Sequence, residues 1–490
     1  MKKTQGKIIL NIVNGEKLQA SKKLLKKINP HNGEIQKYFV NSNKTIVDLA
    51  VSAAHSSHYR WSQITPIARG KVLSEFVSNL KKESKSLASM VASETGKSLN
   101  HSLGEVAGAI LQGEFFAGEG MRLYGKSLTS GMDGRSSYTV RVSHGVTGLI
   151  VPANTPIANI AWKIFPALIC GNTIVLKSSE DAPELANKIA EIGLRSGIPE
   201  GVFNVIHGDR NTGIHLVENK KVKLISFTGS SLAGIDIVTR ASQRLARVSL
   251  ELGGKNPFVV CDDADLDNAV HWAILSAYSN AGQRCAAASR LIVFKNIYEN
   301  FLELFLEKAS KLKLGLSNTA DLGPVINEKQ YKNILKYFND ATEEGANILL
   351  GGCSSKGKNL KNGFYINPTL ISSLKPSSRL YDLEIFGPVA HIEKVENIEQ
   401  AIDRCHESQY GLTAAIHTKN IDLANYFAHQ IRSGLVNVNL GTFGSEPHMP
   451  FGGFGMSGNG TREPGTEALD VYSELKNVSF FHRKETFIHT

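Results

Sequence analysis

The chain has 490 residues, of which 42% are apolar and 20% charged. At roughly 150 residues per domain this is about three domains' worth of ordinary globular protein, which excludes disordered, collagen-like and low-complexity classes. The formal charge of +10 gathers partly near the N-terminus (Lys2, Lys3, Lys7, Lys17, Lys22, Lys23, Lys26, Lys27), where a solvated surface accounts for it. No basic stretch is interleaved with stacking aromatics, so a nucleic-acid partner is not expected. The excess instead favours small anionic ligands by raising their local concentration.

Five cysteines, Cys170, Cys261, Cys285, Cys353 and Cys405, are scattered without a C-x-x-C pair. That spacing argues against a disulfide framework and a structural zinc site, and for a reducing, cytoplasmic setting. The N-terminus begins like a signal peptide, but Asn11 and Asn14 interrupt its short apolar run. The longest apolar region, Val146 to Leu176, carries Pro152, Asn154, Pro156, Asn159, Lys163 and Pro166, so it is not a membrane span.

In chain order, residues 46–60 and 67–94 read as helices, the second with Val72, Leu73, Phe76 and Leu80 at helical spacing. Residues 100–122 form another. Residues 137–143 alternate and are rich in β-branched types, as a strand with one wet face does. A strand at 146–151 then leads through a loop to a helix at 159–169. A strand at 173–176, a helix at 183–196 and strands at 203–206 and 224–227 follow. This is a βαβ succession of the nucleotide-binding kind. A second α/β succession comprises a strand at 258–260, a helix at 266–280, a strand at 290–294, helices at 297–312 and 328–345, and strands near 389–394, 412–417 and 435–439. The tail, 470–487, is strand-like. No fixed-period repeat is present.

Several junctions carry chemistry-bearing residues. Phe227-Thr228-Gly229-Ser230 closes a buried strand where a helix begins. Such a junction can cradle a phosphate on backbone N–H groups, or be a plain turn. Lys177 and Glu180 follow another strand end, where ligands gather in open α/β sheets; a solvated pair is the bland reading. Glu251 precedes two glycines. Cys285 follows Gly282-Gln283-Arg284, and an adjacent cation favours the reactive thiolate, although a lone cysteine is more often a small buried hydrophobe. A carboxylate within reach could act as general base. Glu384-Ile385-Phe386-Gly387-Pro388 and Pro450-Phe451-Gly452-Gly453 read first as turns.

Taken in order, Pro152-Ala153-Asn154-Thr155-Pro156, Lys177 with Glu180, Phe227 to Ser230, Glu251 to Lys255, Gly282 to Cys285, Glu384 to Pro388 and Pro450 to Gly453 resemble the aldehyde dehydrogenase superfamily. The resemblance is to its non-acylating, NAD(P)-dependent branch and runs from about residue 28 to the end. It implies that Cys285 is the nucleophile and Glu251 the base that activates water. Asn154, with the Cys285 backbone N–H, would hold the oxyanion. It implies cofactor contacts at Val151, Pro152, Lys177, Glu180, Gly229, Ser230, Gly234, Leu252, Glu384 and Phe386. The cofactor would be NAD, with NADP possible, and no metal is required.

The implied fold is α/β. A Rossmann-like cofactor domain takes residues 1–124 and 145–253, an α/β catalytic domain takes 254–452, and a small β oligomerisation arm takes 125–144 and 453–490. A homodimer or homotetramer and no membrane partner are expected. Many members carry aromatics on either side of the oxyanion Asn, whereas this chain has Ala153 and Thr155. With the tail at 457–465, that departure resembles the branch acting on semialdehydes with a distal carboxylate, such as 2-oxoglutarate semialdehyde. Arg284, Arg122, Ser445 and His448 are the candidate ligands for the distal group. A CoA-acylating relative would not need a base at Glu251. A non-catalytic, structural member would be free to lose both Glu251 and Cys285.

Overall fold

The computed structural model describes residues 8–19, 23–316, 320–355, 357 and 360–482. Lys2, Lys3, Lys7 and Lys22 lie outside these residues, as does the end of the expected C-terminal strand. Two seven-stranded sheets organise the chain.

In the first sheet the order is Arg247–Glu251, Val222–Thr228, Val146–Ile150, Thr173–Lys177, Phe203–Ile206, Asn11–Val13, Glu16–Leu18. The first five strands are parallel, and the N-terminal hairpin adds to them antiparallel. Both faces are covered, which is why the strands read as nearly continuous apolar runs. Ile174 and Leu176 pack with helices Pro66–Lys82, Leu99–Glu119 and Pro156–Ile169 on one face. Val175, pointing the other way, packs with Lys44–Ser62 and Ser231–Ser242.

The second sheet runs Asn347–Leu350, Thr369–Ser372, Val389–Val395, Ala288–Phe294, Asn256–Val260, Thr413–His417, Leu435–Val438. Only its first strand is antiparallel. The first sheet's edge strand Arg247–Glu251 ends at Glu251, and an interior strand of the second sheet starts at Asn256. The glycine pair between them therefore sits where the two sheets meet. A smaller sheet pairs Ser473–Phe481 along its whole length with Arg135–Ser143, which also carries Ser127–Leu128. Its strand Ser473–Phe481 is an edge, with Leu475, Phe480 and Phe481 exposed.

Four elements differ from the sequence reading. The helix expected at 67–94 is two, Pro66–Lys82 and Ser84–Thr95, parted at Glu83, whose carboxylate turns onto Lys188 and Arg195. The helix expected from 159 begins at Pro156, where a proline costs no hydrogen bond. The helix expected to run to 280 stops at Tyr278, because Asn280 and Ala281 adopt left-handed backbone conformations. The tail opens with one helical turn, Ala468–Tyr472, before its strand. The helix Arg210–Glu218 and the short N-terminal strands carry little apolar periodicity and were not expected. Among the described residues no helix is long and apolar enough to cross a membrane.

Candidate active site

Cys285 lies on a turn that only a glycine permits. Asn280, Ala281 and Gly282 are left-handed in succession. A side-chain carbon on Gly282 would stand 1.9 Å from the Gly387 carbonyl oxygen. Gln283 stiffens the turn: its amide donates to the Asn280 carbonyl at 3.1 Å and accepts the Ile326 N–H at 2.9 Å. Asn256 donates to the Cys285 and Ala287 carbonyls at 2.7 and 2.9 Å. The thiol is pushed up to about 12 by burial, with the nearby carboxyls of Glu251 and Glu384 adding to the rise. The Ala286 N–H and Arg284 oppose it and lose. The expectation that Arg284 favours the thiolate is thus corrected: burial beside two carboxyls outweighs one cation.

Asn154 sits between strand Val146–Ile150 and helix Pro156–Ile169. Its side-chain N–H donates to the Gln283 carbonyl at 3.1 Å, so the amide faces the nucleophile turn. Asn159 donates to its Oδ1 at 3.1 Å, which fixes which end is the donor. Its carbonyl accepts from Lys97 at 2.7 Å. Lys97 is ion-paired with Glu105 in the interior at 2.5 Å, and Glu105 also takes the Ile157 N–H at 3.0 Å.

Glu251 ends strand Arg247–Glu251, and its carbonyl accepts the Gly229 N–H at 3.0 Å. Its carboxyl is buried, and neither oxygen has a hydrogen-bond partner among the described residues. Burial, and then Glu463, raise its pKa well above the ordinary carboxyl range; Lys163 and Arg462 oppose the rise. Glu463 is itself fully buried, paired with Lys163 at 2.7 Å and hydrogen-bonded by Ser226 and Tyr472 at 2.9 Å each. Sequence reasoning missed this pair. The available signal was Lys163, a lysine inside an otherwise apolar helix, which was read only as an interruption.

The expected cofactor residues line the same junction. Lys177 is buried at the end of its strand, 3.1 Å from the half-exposed carboxylate of Glu180. Ser230 caps helix Ser231–Ser242, accepting the Ala233 N–H at 3.4 Å, so exposed helix N–H groups follow Gly229. A side-chain carbon on Gly234 would stand 2.7 Å from Leu252, so the helix packs closely on the strand end. Val151 is buried and Pro152 half-buried on the Asn154 loop. Glu384 accepts the Gly254 N–H at 3.1 Å, and burial pushes it up to about 7. Phe386 is left-handed (φ 54°), and Gln330, unremarked in the sequence, donates to its carbonyl at 3.1 Å. Bare α-carbons at Gly229, Gly253 and Gly254, a helix N-terminus and two carboxylates fit a dinucleotide.

Of the four candidate substrate ligands, Arg284 alone neighbours Cys285. Its guanidinium carbon lies 4.9 Å from the Phe443 ring centroid, and its buried Nε has no hydrogen-bond partner. It makes no ion pair among the described residues. Arg122 turns back onto Glu119 and is half-exposed. Ser445 Oγ reaches only the Glu446 carbonyl at 3.4 Å, and His448 is exposed, 3.9 Å from Glu446.

The profile of the aldehyde dehydrogenase family matches residues 17–478. The chain belongs to this family. The α-ketoglutaric semialdehyde dehydrogenase of Bacillus subtilis is 35% identical over 97% of the chain and 98% of its own length. The D-glyceraldehyde dehydrogenase (NADP(+)) of Picrophilus torridus is 34% identical over 94% of the chain and 93% of its own. Among solved structures, betaine aldehyde dehydrogenase of Staphylococcus aureus in complex with NAD+ superposes with a TM-score of 0.95 at 32% identity, covering 98% of this chain and 97% of that one. This aldehyde dehydrogenase is therefore an oxidoreductase acting on aldehydes, with the family's two-sheet α/β fold.

Proposed function

We propose that the protein oxidises a small aldehyde bearing a carboxylate or hydroxyls to its carboxylic acid, with NAD as acceptor. The observation that carries this reading is the Asn154 side-chain N–H turned onto the carbonyl of Gln283, two residues before Cys285. An amide donor fixed beside a cysteine fits an oxyanion forming on a carbon bonded to that sulfur.

In this reading Glu251 takes the proton of the Cys285 thiol and passes it to solvent, the sulfur adds to the aldehyde carbon, and Asn154 steadies the resulting oxyanion. Bound nicotinamide dinucleotide supplies the hydride acceptor. Loss of hydride from the carbon leaves a thioester on Cys285. Glu251, whose carboxyl has no hydrogen-bond partner among the described residues, takes a proton from water as that water attacks the thioester. The acid departs and Cys285 is released. Glu180 supports NAD over NADP, because a carboxylate at the ribose hydroxyls meets a 2′-phosphate as a like charge. Arg284, half-buried and in no ion pair among the described residues, supports a distal carboxylate on the substrate.

We assign residues 1–124 and 145–253 to the cofactor domain, 254–452 to the catalytic domain, and 125–144 with 453–490 to an arm. The long unpaired edge of Ser473–Phe481 supports a homo-oligomer in which another subunit covers it. The free cysteines support a reducing, cytoplasmic setting. Cys285→Ser tests the core of the reading: NADH formation falls below about 1% of wild type, while NAD binding persists. Retained turnover would remove Cys285 as the nucleophile.

A further inference from the structure

The loops of the site come from distant parts of the chain, and one short segment touches three of them directly and a fourth through Lys97. Residues 323–330 form a strap that follows helix Tyr298–Ser310 and runs into the first turn of helix Glu328–Glu343. At one end, a side-chain carbon on Gly323 would stand 2.4 Å from the Gly96 carbonyl, and Pro324 packs on Gly96. Gly96 precedes Lys97, which holds the Asn154 carbonyl. In the middle, the Ile326 N–H donates to the Gln283 side chain at 2.9 Å, within two residues of Cys285. Next, the Asn327 side-chain N–H donates to Asp181 at 2.7 Å, beside Glu180. At the far end, Gln330 donates to the Ile385 and Phe386 carbonyls at 2.5 and 3.1 Å.

Asn327 is the point where this strap crosses to the first sheet. Its side chain divides its two functions. The oxygen accepts the Gln330 N–H at 2.9 Å and caps helix Glu328–Glu343; the nitrogen reaches Asp181. Asp181 is not a loose surface acid. Its carboxyl is partly buried, and that burial raises its pKa, while Lys27 and the Asn327 hydrogen bond oppose the rise.

We propose that Asn327 is a positioning residue: its hydrogen bond to Asp181 holds the ribose-side loop Lys177–Asp181 in register with the Cys285 turn and the Glu384–Phe386 loop. The inference rests on the dehydrogenase reading above. A cofactor spanning Glu180 and Glu384 has two ends on loops from different sheets, and this bond fixes the distance between them. The reacting carbon must also meet Cys285, so an error of about 1 Å in that distance is costly.

The test is a swap. Asn327→Asp keeps an oxygen to cap the helix but replaces the donor facing Asp181 with a carboxylate. The Kd for NAD, measured by calorimetry, rises about ten-fold, and iodoacetamide alkylation of Cys285 in the presence of NAD changes by about three-fold or more. Adding Asp181→Asn reverses donor and acceptor, preserves the total charge, and returns both readouts to within about two-fold of wild type. Asn327→Ser keeps a capping hydroxyl but cannot reach Asp181; it gives the same loss without added charge and serves if the aspartate variant fails to fold. Wild-type behaviour in the single variants, or a double variant no better than Asn327→Asp, overturns the inference. A wild-type chain that binds NAD but oxidises no aldehyde would overturn the reaction instead, leaving the swap to be judged on binding and alkylation.

Discussion

Glu251 and Gly452 lie in contact: a side-chain carbon on Gly452 would come within 2.9 Å of Glu251 Oε1. The missing side chain leaves room beside a buried carboxyl whose oxygens have no hydrogen-bond partner among the described residues. Glu251→Gln removes the proton acceptor while keeping the shape. The expected trace is a burst of about one NADH per subunit, then turnover slowed about a hundred-fold as the thioester accumulates. Steady turnover at the wild-type rate would assign the base elsewhere.

Cys285 alkylation has a definite pH dependence in the cofactor-free protein. Only the thiolate reacts, and burial with two carboxyls nearby pushes the thiol up to about 12. The rate of iodoacetamide labelling therefore climbs with pH and shows no plateau below about pH 10. A plateau near neutral pH, read by mass spectrometry of the Cys285 peptide, would mean that a cation outweighs burial after all.

Gly253 leaves space for Glu384. A side-chain carbon there would stand 2.1 Å from Glu384 Oε2, so Gly253→Ala must push the carboxylate aside and strain its bond to the Gly254 N–H. The KM for NAD rises about ten-fold or more, with the melting temperature nearly unchanged, because the displaced group is a side-chain end. An unchanged KM would take Glu384 out of the cofactor site.

Arg284 sets the substrate comparison. Succinate semialdehyde or 2-oxoglutarate semialdehyde has a higher kcat/KM than pentanal, and Arg284→Ala narrows that preference by about ten-fold or more. Arg122→Ala leaves the preference unchanged, since Arg122 is held by Glu119. If pentanal wins in the wild type, the polar pocket is wrong. If the acids win and Arg284 is immaterial, the ligand is another residue.

His207 gives the fold a pH dependence. Burial, and then Lys177, lower its pKa to about 3. The unfolded chain binds this proton from about pH 6.5 downward while the folded one does not. Its contribution is therefore complete above that pH and lost as the pH falls toward the folded value, about 2 kcal/mol by pH 5. Denaturation midpoints compared at pH 7 and pH 5 show a smaller drop in His207→Gln. An equal drop would assign the effect to other groups.

The residues that read clearly in the sequence share one property: their environment is local. Thr173–Lys177 is a run of buried strand, Gly229-Ser230 a strand-to-helix junction, and Gly282 a turn before a reactive side chain. Each is legible because the reason for the residue lies within a few positions of it. Lys163 and Glu463 were illegible because each is explained by a partner 300 residues away. Gln330 and Asn327 look like ordinary helix-start residues until the Phe386 and Asp181 loops are brought beside them. Arg284 was read correctly as a neighbour of Cys285 in sequence, but its effect on the thiol is set by burial and by Glu251 and Glu384, which come from elsewhere.

The Lys163–Glu463 pair has a bearing on how the protein is made. Lys163 lies in the core of the first sheet's helical layer, and its counter-ion comes 300 residues later in the chain. Until residue 463 has left the ribosome, the nascent first sheet carries an ammonium at Lys163 without the carboxylate of Glu463 to meet it, and that imbalance opposes closure of the layer around it. The helical layer on the first sheet therefore finishes late. A chain stalled or truncated before Glu463 would lack more than a tail: it would lack one of the charges that set the environment of Glu251.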